Sequence, residues 1–226
     1  FSWQALWIGG AVLTLLFMAA VAGLVRGEGR TVETPPATGR LAGAAWWLIF
    51  TSYGLFGFGY VITATFIVAI VRGSAELASL EPVIWIVVGL AGAPSIWFWN
   101  RIAGRTGLAV AYSLACLVEA LGVFLSVAFD HPAAAIAAAV MLGGTFMALT
   151  AVGVTYARRI TGADPRRTFA IMTVAFGLGQ IVGPIVAGYL HDMTGSFAPG
   201  SYAAAFALVI GAVLAMASRQ VAGFRE

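Results

Sequence analysis

GAAWWLIFTSYGLFGFGYVITATFIVAIV, residues 43–71, runs for 29 residues without a charged side chain. A helix needs about 20 mostly apolar residues to cross the hydrocarbon core of a bilayer. Six further stretches read the same way: 3–25, 82–99, 108–129, 132–157, 168–190 and 201–218. Their apolarity is continuous, not alternating, which excludes the strands of a membrane barrel. Backbone groups in lipid are satisfied only in helices or closed barrels, so the expectation is seven transmembrane helices. Pro82, Pro132 and the Asp164-Pro165 pair stand where helices begin, since proline tolerates the first helical turn and Asp is a good N-cap.

Composition agrees with these spans. Charged residues make up 9% of the 226, against about 25% in soluble domains, and mean hydropathy is +0.97. A soluble enzyme, a nucleic-acid binder and a disordered segment are all excluded as readings. Cys116 is the single cysteine. It can form no internal disulfide and no thiolate metal site, and packing is its expected role. No metal-spaced histidine cluster, paired-carboxylate site, nucleophile elbow or phosphate loop is present, so no enzyme activity, cofactor or metal is expected.

All twelve basic residues are arginines, and eleven fall in alternate connections: Arg26, Arg30, Arg40; Arg101, Arg105; Arg158, Arg159, Arg166, Arg167; Arg219, Arg225. Arg72 alone lies on the opposite side, whereas the acids outside the spans divide evenly. The positive-inside rule then places the N-terminus outside and the C-terminus in the cytoplasm. Topology and lipid phosphate account for this basic face, and no nucleic-acid partner is expected.

Residues 26–42 carry charge, Pro35-Pro36 and several glycines and threonines, which reads as a linker between bundles. The expected organisation is a helix over 1–25, a cytoplasmic linker over 26–42, a six-helix bundle over 43–218 and a tail over 219–226. The chain opens with Phe1 and shows no signal peptide; it is expected to be part of a longer protein. The spans within 43–129 and within 132–218 form two triplets of equal length, and a shift of 91 aligns Gly92 with Gly183, Asn100 with His191 and Gly104 with Gly195. Three spans per copy is odd, so the second copy is expected to be inverted in the membrane, a transporter arrangement.

Few residues offer chemistry. Glu119 is the only charge inside a span. An ionised carboxylate there costs roughly 2.5–3.5 kcal/mol on insertion scales, so it is expected to be neutral, paired or wet. Its two readings are a proton carrier and a hydrogen-bonded structural carboxyl. Tyr53 and Tyr60 stand seven apart on one helix face with Gly57 between them, and Gly54, Gly57 and Gly59 permit either bending or close helix approach. These tyrosines suit a solute cavity or, equally, tight packing. Gly179 and Gly183 form a small-xxx-small surface, Pro184 removes a backbone hydrogen bond, and Gln180 is a cavity or interhelical hydrogen-bonder. Thr145 is a mild cavity candidate on a stripe with Met141, Ala148, Val152 and Tyr156. His191 reads as a wetted residue near the outer end, and His131 is given no function.

GLGQIVGPIVAGYLHDMTGS (177–196), NRIAGRTG (100–107) and FGFGYVITATF (56–66) together resemble the C-terminal half of a major facilitator superfamily transporter, the last of them the seventh helix of its bacterial YbfB-type branch. The first resembles the superfamily's eleventh helix, but GPIVAG departs from the antiporter pattern GPxxGG, so antiport is not implied. The second resembles the cytoplasmic loop motif D-R-x-G-R. Asn100 replaces its Asp, and an extra residue separates Arg101 from Gly104, which puts its gating salt bridge in doubt. The resemblance spans essentially the whole chain. It implies an all-α polytopic protein of the bacterial inner membrane, with two inverted three-helix repeats preceded by one extra helix. It further implies secondary transport of a small-molecule solute by alternating access, commonly coupled to protons. The partners implied are the lipid bilayer, the solute and the other bundle of the same transporter. The seventh and tenth helices line such a cavity, which favours Tyr53, Gly57, Tyr60, Thr63 and Thr145, with Gln180 nearby. Asn100, Arg101, Gly104 and Arg105 would lie at the inner gate, Gly179, Gly183 and Pro184 would serve packing, and Glu119 is the proton-coupling candidate. The ninth helix, which carries Glu119, lies at the periphery in that superfamily. The alternative reading is a seven-helix interaction module or receptor-like protein without transport.

Overall fold

The computed structural model describes residues 3–24, 39 and 41–223, and all eight of their α-helices are built from the apolar stretches above. The chain divides into two compact units, Phe1–Pro35 and Pro36–Glu226. The first holds α1 (Trp3–Leu24), whose described apolar side chains, including Leu16 and Phe17, are all exposed. Most of the sequence taken as a linker lies outside the described residues.

The second unit contains α2 (Ala44–Gly73), α3 (Glu81–Gly92), α4 (Ser95–Thr106), α5 (Leu108–Ala128), α6 (Pro132–Thr161), α7 (Pro165–Thr194) and α8 (Ala198–Ala222), with a 3-10 turn at Ala78–Leu80. Five of these are long and apolar enough to cross a membrane, and the bent pair α3–α4 makes a sixth if it is one span. The helix starts follow local chemistry. The Asp164 carboxylate accepts from the backbone N–H of Arg166 and Arg167 (2.8 and 3.0 Å), and the His131 Nδ1 accepts from Ala133 N–H (3.2 Å), so both cap free donors of a first turn. Gly107, Gly162, Gly195 and Gly223 stand at helix boundaries with positive φ, where a side chain would be strained.

The expected span 82–99 is corrected. It breaks at Ala93-Pro94 with a bend of 41° and continues as α4 to Thr106. NRIAGRTG therefore lies on a helix up to Thr106 and is not a loop. Proline explains the break, because it has no N–H to donate and clashes with the turn before it. The Ser95 hydroxyl donates to Gly92 O (2.7 Å) across the break. Pro184 meets the same handicap yet leaves α7 unbroken. The register of the internal repeat is corrected too. Gly104 is helical, and Gly107 occupies the place after α4 that Gly195 occupies after α7.

Helices α2, α5 and α7 run one way, and α3–α4, α6 and α8 run the other. α2 packs on α7 and α8, α6 packs on α3–α4 and α5, and α5 packs on α8. Exchanging α2 with α6, α3–α4 with α7, and α5 with α8 leaves this set of pairings unchanged. α2 and α6 are each 30 residues long. Gly57 lies against the backbone of Phe176, as Gly143 lies against the backbone of Val88. The main core joins α2, α5, α6, α7 and α8 around Phe56, Tyr112, Leu149, Tyr156 and Leu208, and a smaller one joins α2, α3 and α6 around Ile67, Ile84 and Leu142. Between helices, Ser52 donates to Gly211 O (2.6 Å), Ser113 to Ala212 O (3.0 Å) and Trp99 Nε1 to Gly144 O (2.8 Å). The outward faces carry Leu90, Ile185, Phe206 and Val213, each more than 60% exposed. An exposed apolar belt of this extent suits lipid as the surrounding solvent.

Candidate functional site

Two groups of side chains at mid-span in α2, α5, α6 and α7 stand out. The first is aromatic. Tyr60 of α2 stacks on Phe146 of α6 (centroids 5.4 Å apart, planes 11° apart) and on Phe176 of α7 (5.9 Å, 24°). Phe176 also meets Phe56 (5.2 Å) and Tyr53 (5.7 Å). Aromatic pairs at these separations attract beyond their area burial, so the five rings tie three helices together. Tyr60, Phe146 and Phe176 are half-buried, whereas Tyr53 is buried and donates a long hydrogen bond to Thr150 O (3.4 Å). The glycines bring the helices close enough for these contacts. A Cβ on Gly183 would stand 2.8 Å from Val61 Cγ1 and 2.9 Å from Phe58 O, and Gly179 lies against Gly54 and Gly57. Gly54, Gly57 and Gly59 accordingly sit at close helix contacts.

The second group is polar. Glu119 is completely buried, and Thr145 Oγ1 lies 3.0 Å from its Oε2 and 2.6 Å from Met141 O. A threonine hydroxyl has one hydrogen and cannot serve both acceptors. A protonated carboxyl that donates to Thr145, while Thr145 donates to Met141 O, satisfies both contacts at once. An ionised carboxylate would compete with Met141 O for that one hydrogen. Among the described residues no arginine or histidine forms an ion pair with Glu119. The Glu119 side chain thus points into the bundle. Thr63 is completely buried on the face of α2 that carries Gly59 and Phe66, toward α8.

The sequence matches the family described as "Uncharacterised MFS-type transporter YbfB" over residues 1–216. The chain belongs to this MFS-type transporter family. No individual curated protein matches it.

For an MFS transporter, the remaining candidates take definite places. Gln180 is half-buried on α7, one turn beyond Phe176. Asn100, Arg101, Gly104 and Arg105 lie on α4, where the Arg101 guanidinium sits 5.9 Å from the Trp97 ring centroid. Neither Arg101 nor Arg105 pairs with a carboxylate among the described residues; the ion pair formed there by arginine is Arg72 with Glu81, in the turn after α2. Among the described residues no three His, Cys, Asp or Glu lie together as metal ligands would. A cavity of about 390 Å³ opens at the arginine-poor end, where Asp130 and His191 face Ser126 and Ser196. A larger apolar groove of about 630 Å³ lies at the Pro94 bend, with Thr145 on its wall. Phe56, Phe146 and Phe176 escaped the sequence reading. Phenylalanine in an apolar span carries no mark that separates a ring cluster from a lipid contact.

Proposed function

We propose that the chain is the C-terminal part of a twelve-helix permease that moves a small solute across a bacterial inner membrane by alternating access. In this reading α1 is the last helix of the first bundle, residues 26–42 form the cytoplasmic linker, and α2 to α8 are the second bundle with its tail inside. The pairing of helices supports an inverted repeat, because it is unchanged when the two triplets are exchanged. The segregation of arginines supports the orientation.

The observation that carries the functional reading is the half-buried stack of Tyr60, Phe146 and Phe176, on three helices of a transporter-family bundle. Stacked rings at mid-depth offer a solute flat apolar surface and one hydroxyl, and Gln180 adds an amide a turn away. Arg101 and Arg105 mark the inner end. Glu119 holds the coupling proton in the dry interior, where Thr145 and Met141 O fix its neutral form.

The test is uptake by the full-length protein in proteoliposomes under an imposed pH gradient, over a panel of labelled neutral, cationic and anionic solutes. Accumulation of at least one solute is expected. For that solute, Phe176→Ala and Gln180→Ala lower uptake severalfold, whereas Leu121→Ala, on the lipid face, leaves it unchanged. Equal uptake by all three variants would contradict the cavity assignment. No accumulation of any solute would contradict transport driven by protons. Unchanged dependence on the gradient in Glu119→Gln would remove that residue from coupling.

A further inference from the structure

We propose that a chain of buried hydroxyls inside this bundle carries protons between the cavity at its arginine-poor end and Glu119, so that the carboxyl is reached through the bundle interior. The proposal rests on the reading of Glu119 as the proton-holding group.

Thr63 Oγ1, Ser201 Oγ and Glu119 Oε1 are buried without a hydrogen-bond partner, each on a residue no more than 1% exposed. Internal water in proteins bonds buried polar groups that the protein itself leaves unpaired. The helix register brings the three together. Along the α2–α8 seam, Ser52 bonds to Gly211, Gly59 lies against Ala204 and Leu208, and the Phe66 ring stacks on Phe197 at 4.6 Å. Thr63 stands between Gly59 and Phe66 on that face of α2, and Ser201 stands between Phe197 and Ala204 on the facing side of α8. The two unpaired hydroxyls therefore share one layer. α2 and α5 run parallel, with Tyr53 and Tyr112 both against Gly153, and Tyr60 and Glu119 each stand seven residues further along their helices. Thr63 is three residues beyond Tyr60, or about 4.5 Å further along the helix.

The next polar group outward is Ser126, seven residues from Glu119 on the same face of α5 and 5% exposed. Ser126 lines the 390 Å³ cavity with Asp130 and His191. Measured along the helix axes, the Thr63–Ser201 layer thus falls between Ser126 and Glu119, about one turn from each, and internal water completes the steps between these hydroxyls. Ile62, Ile67, Val123 and Leu208 fill the same interior and offer no competing polar group. The ionisable groups that face Glu119 are Tyr60 from α2 and Cys116 from its own helix; α6 contributes Thr145, and the buried face of α8 has none. Those at the cavity are Asp130 in the turn after α5 and His191 of α7, with Asp192 beside the latter. At each station one O–H bond forms as another breaks. A proton taken from bulk water at the cavity ends on the Glu119 carboxylate, and no other reactant is consumed.

The experiment is hydrogen–deuterium exchange of the Glu119 carboxyl, followed by infrared difference spectroscopy on the full-length transporter in lipid after transfer to D2O. The band is identified by its loss in Glu119→Gln. Exchange is expected to slow by about tenfold or more in Thr63→Val/Ser201→Ala, the effect of about 1.4 kcal/mol added to the barrier, with recovery in Thr63→Ser. Ser126→Ala slows it as well and serves if the double variant does not fold, and Thr65→Val on the exposed face leaves it unchanged. Exchange at the native rate in Ser126→Ala or in the folded double variant, with the Glu119 band present, would overturn the hydroxyl chain and leave the Glu119 reading standing. A protein with no protonated band lost in Glu119→Gln would overturn that reading and the chain with it.

Discussion

Thr145 shows how one side chain can fix the state of another. Its hydroxyl is shared between Glu119 and Met141 O, so the neutral carboxyl is the form that completes the local bonding. Thr145→Val leaves Glu119 with no partner among the described residues. We expect that variant to lose about 1–3 kcal/mol, the cost of an unpaired buried polar group, read as a lower unfolding temperature of the full-length protein in detergent. Trp99→Phe removes the bond to Gly144 O and costs about 1 kcal/mol by the same measurement. At this scale the sequence was informative where chemistry is rare. A lone Glu in an apolar span announces itself, and Tyr60 and Gln180 were legible for the same reason. Phe176 was not, because Phe169 and Phe206 have the same kind of neighbours in sequence yet face outward. Thr63 is ambiguous in the sequence because a hydroxyl mid-span suits a cavity and a buried seam equally.

At the scale of single helices, glycine decides how closely they pack. A Cβ at Gly122 would stand 2.7 Å from Met141 Cβ, and one at Gly183 would meet Val61 and Phe58, whereas one at Gly144 would meet nothing within 4 Å. Gly183→Ala and Gly122→Ala are therefore expected to destabilise by about 1–3 kcal/mol through overpacking, and Gly144→Ala to be tolerated. Thermal unfolding of the three variants side by side checks this, and equal loss in all three would contradict the packing. The helix starts at Pro132 and Asp164 were readable from capping chemistry. The break at Pro94 was not separable in advance from the unbroken passage of α7 through Pro184. Both prolines lose the same hydrogen bond, and the outcome depends on neighbours: Ser95 bonds across the break to Gly92 O, and Trp99 ties the bent form to α6. The same break carried NRIAGRTG from an expected loop onto a helix.

For the whole molecule, the paired triplets give each helix of one set a counterpart in the other, and the rocking of two such bundles would expose a shared cavity to each side in turn. The symmetry was faintly legible as equal span lengths. Its register was not, since glycines are frequent enough to align at several shifts; the turn glycines Gly107 and Gly195 and the close contacts of Gly57 and Gly143 indicate it. Alternation of access is most directly measured by alkylating a single cysteine at position 180 from each side of the membrane. Full-length Cys116→Ser/Gln180→Cys is placed in right-side-out and in inverted vesicles, with Cys116→Ser/Leu121→Cys as the lipid-facing control. An impermeant maleimide is expected to label position 180 from both sides and position 121 from neither. Labelling of position 180 from one side only, or from neither, would contradict alternating access at this bundle.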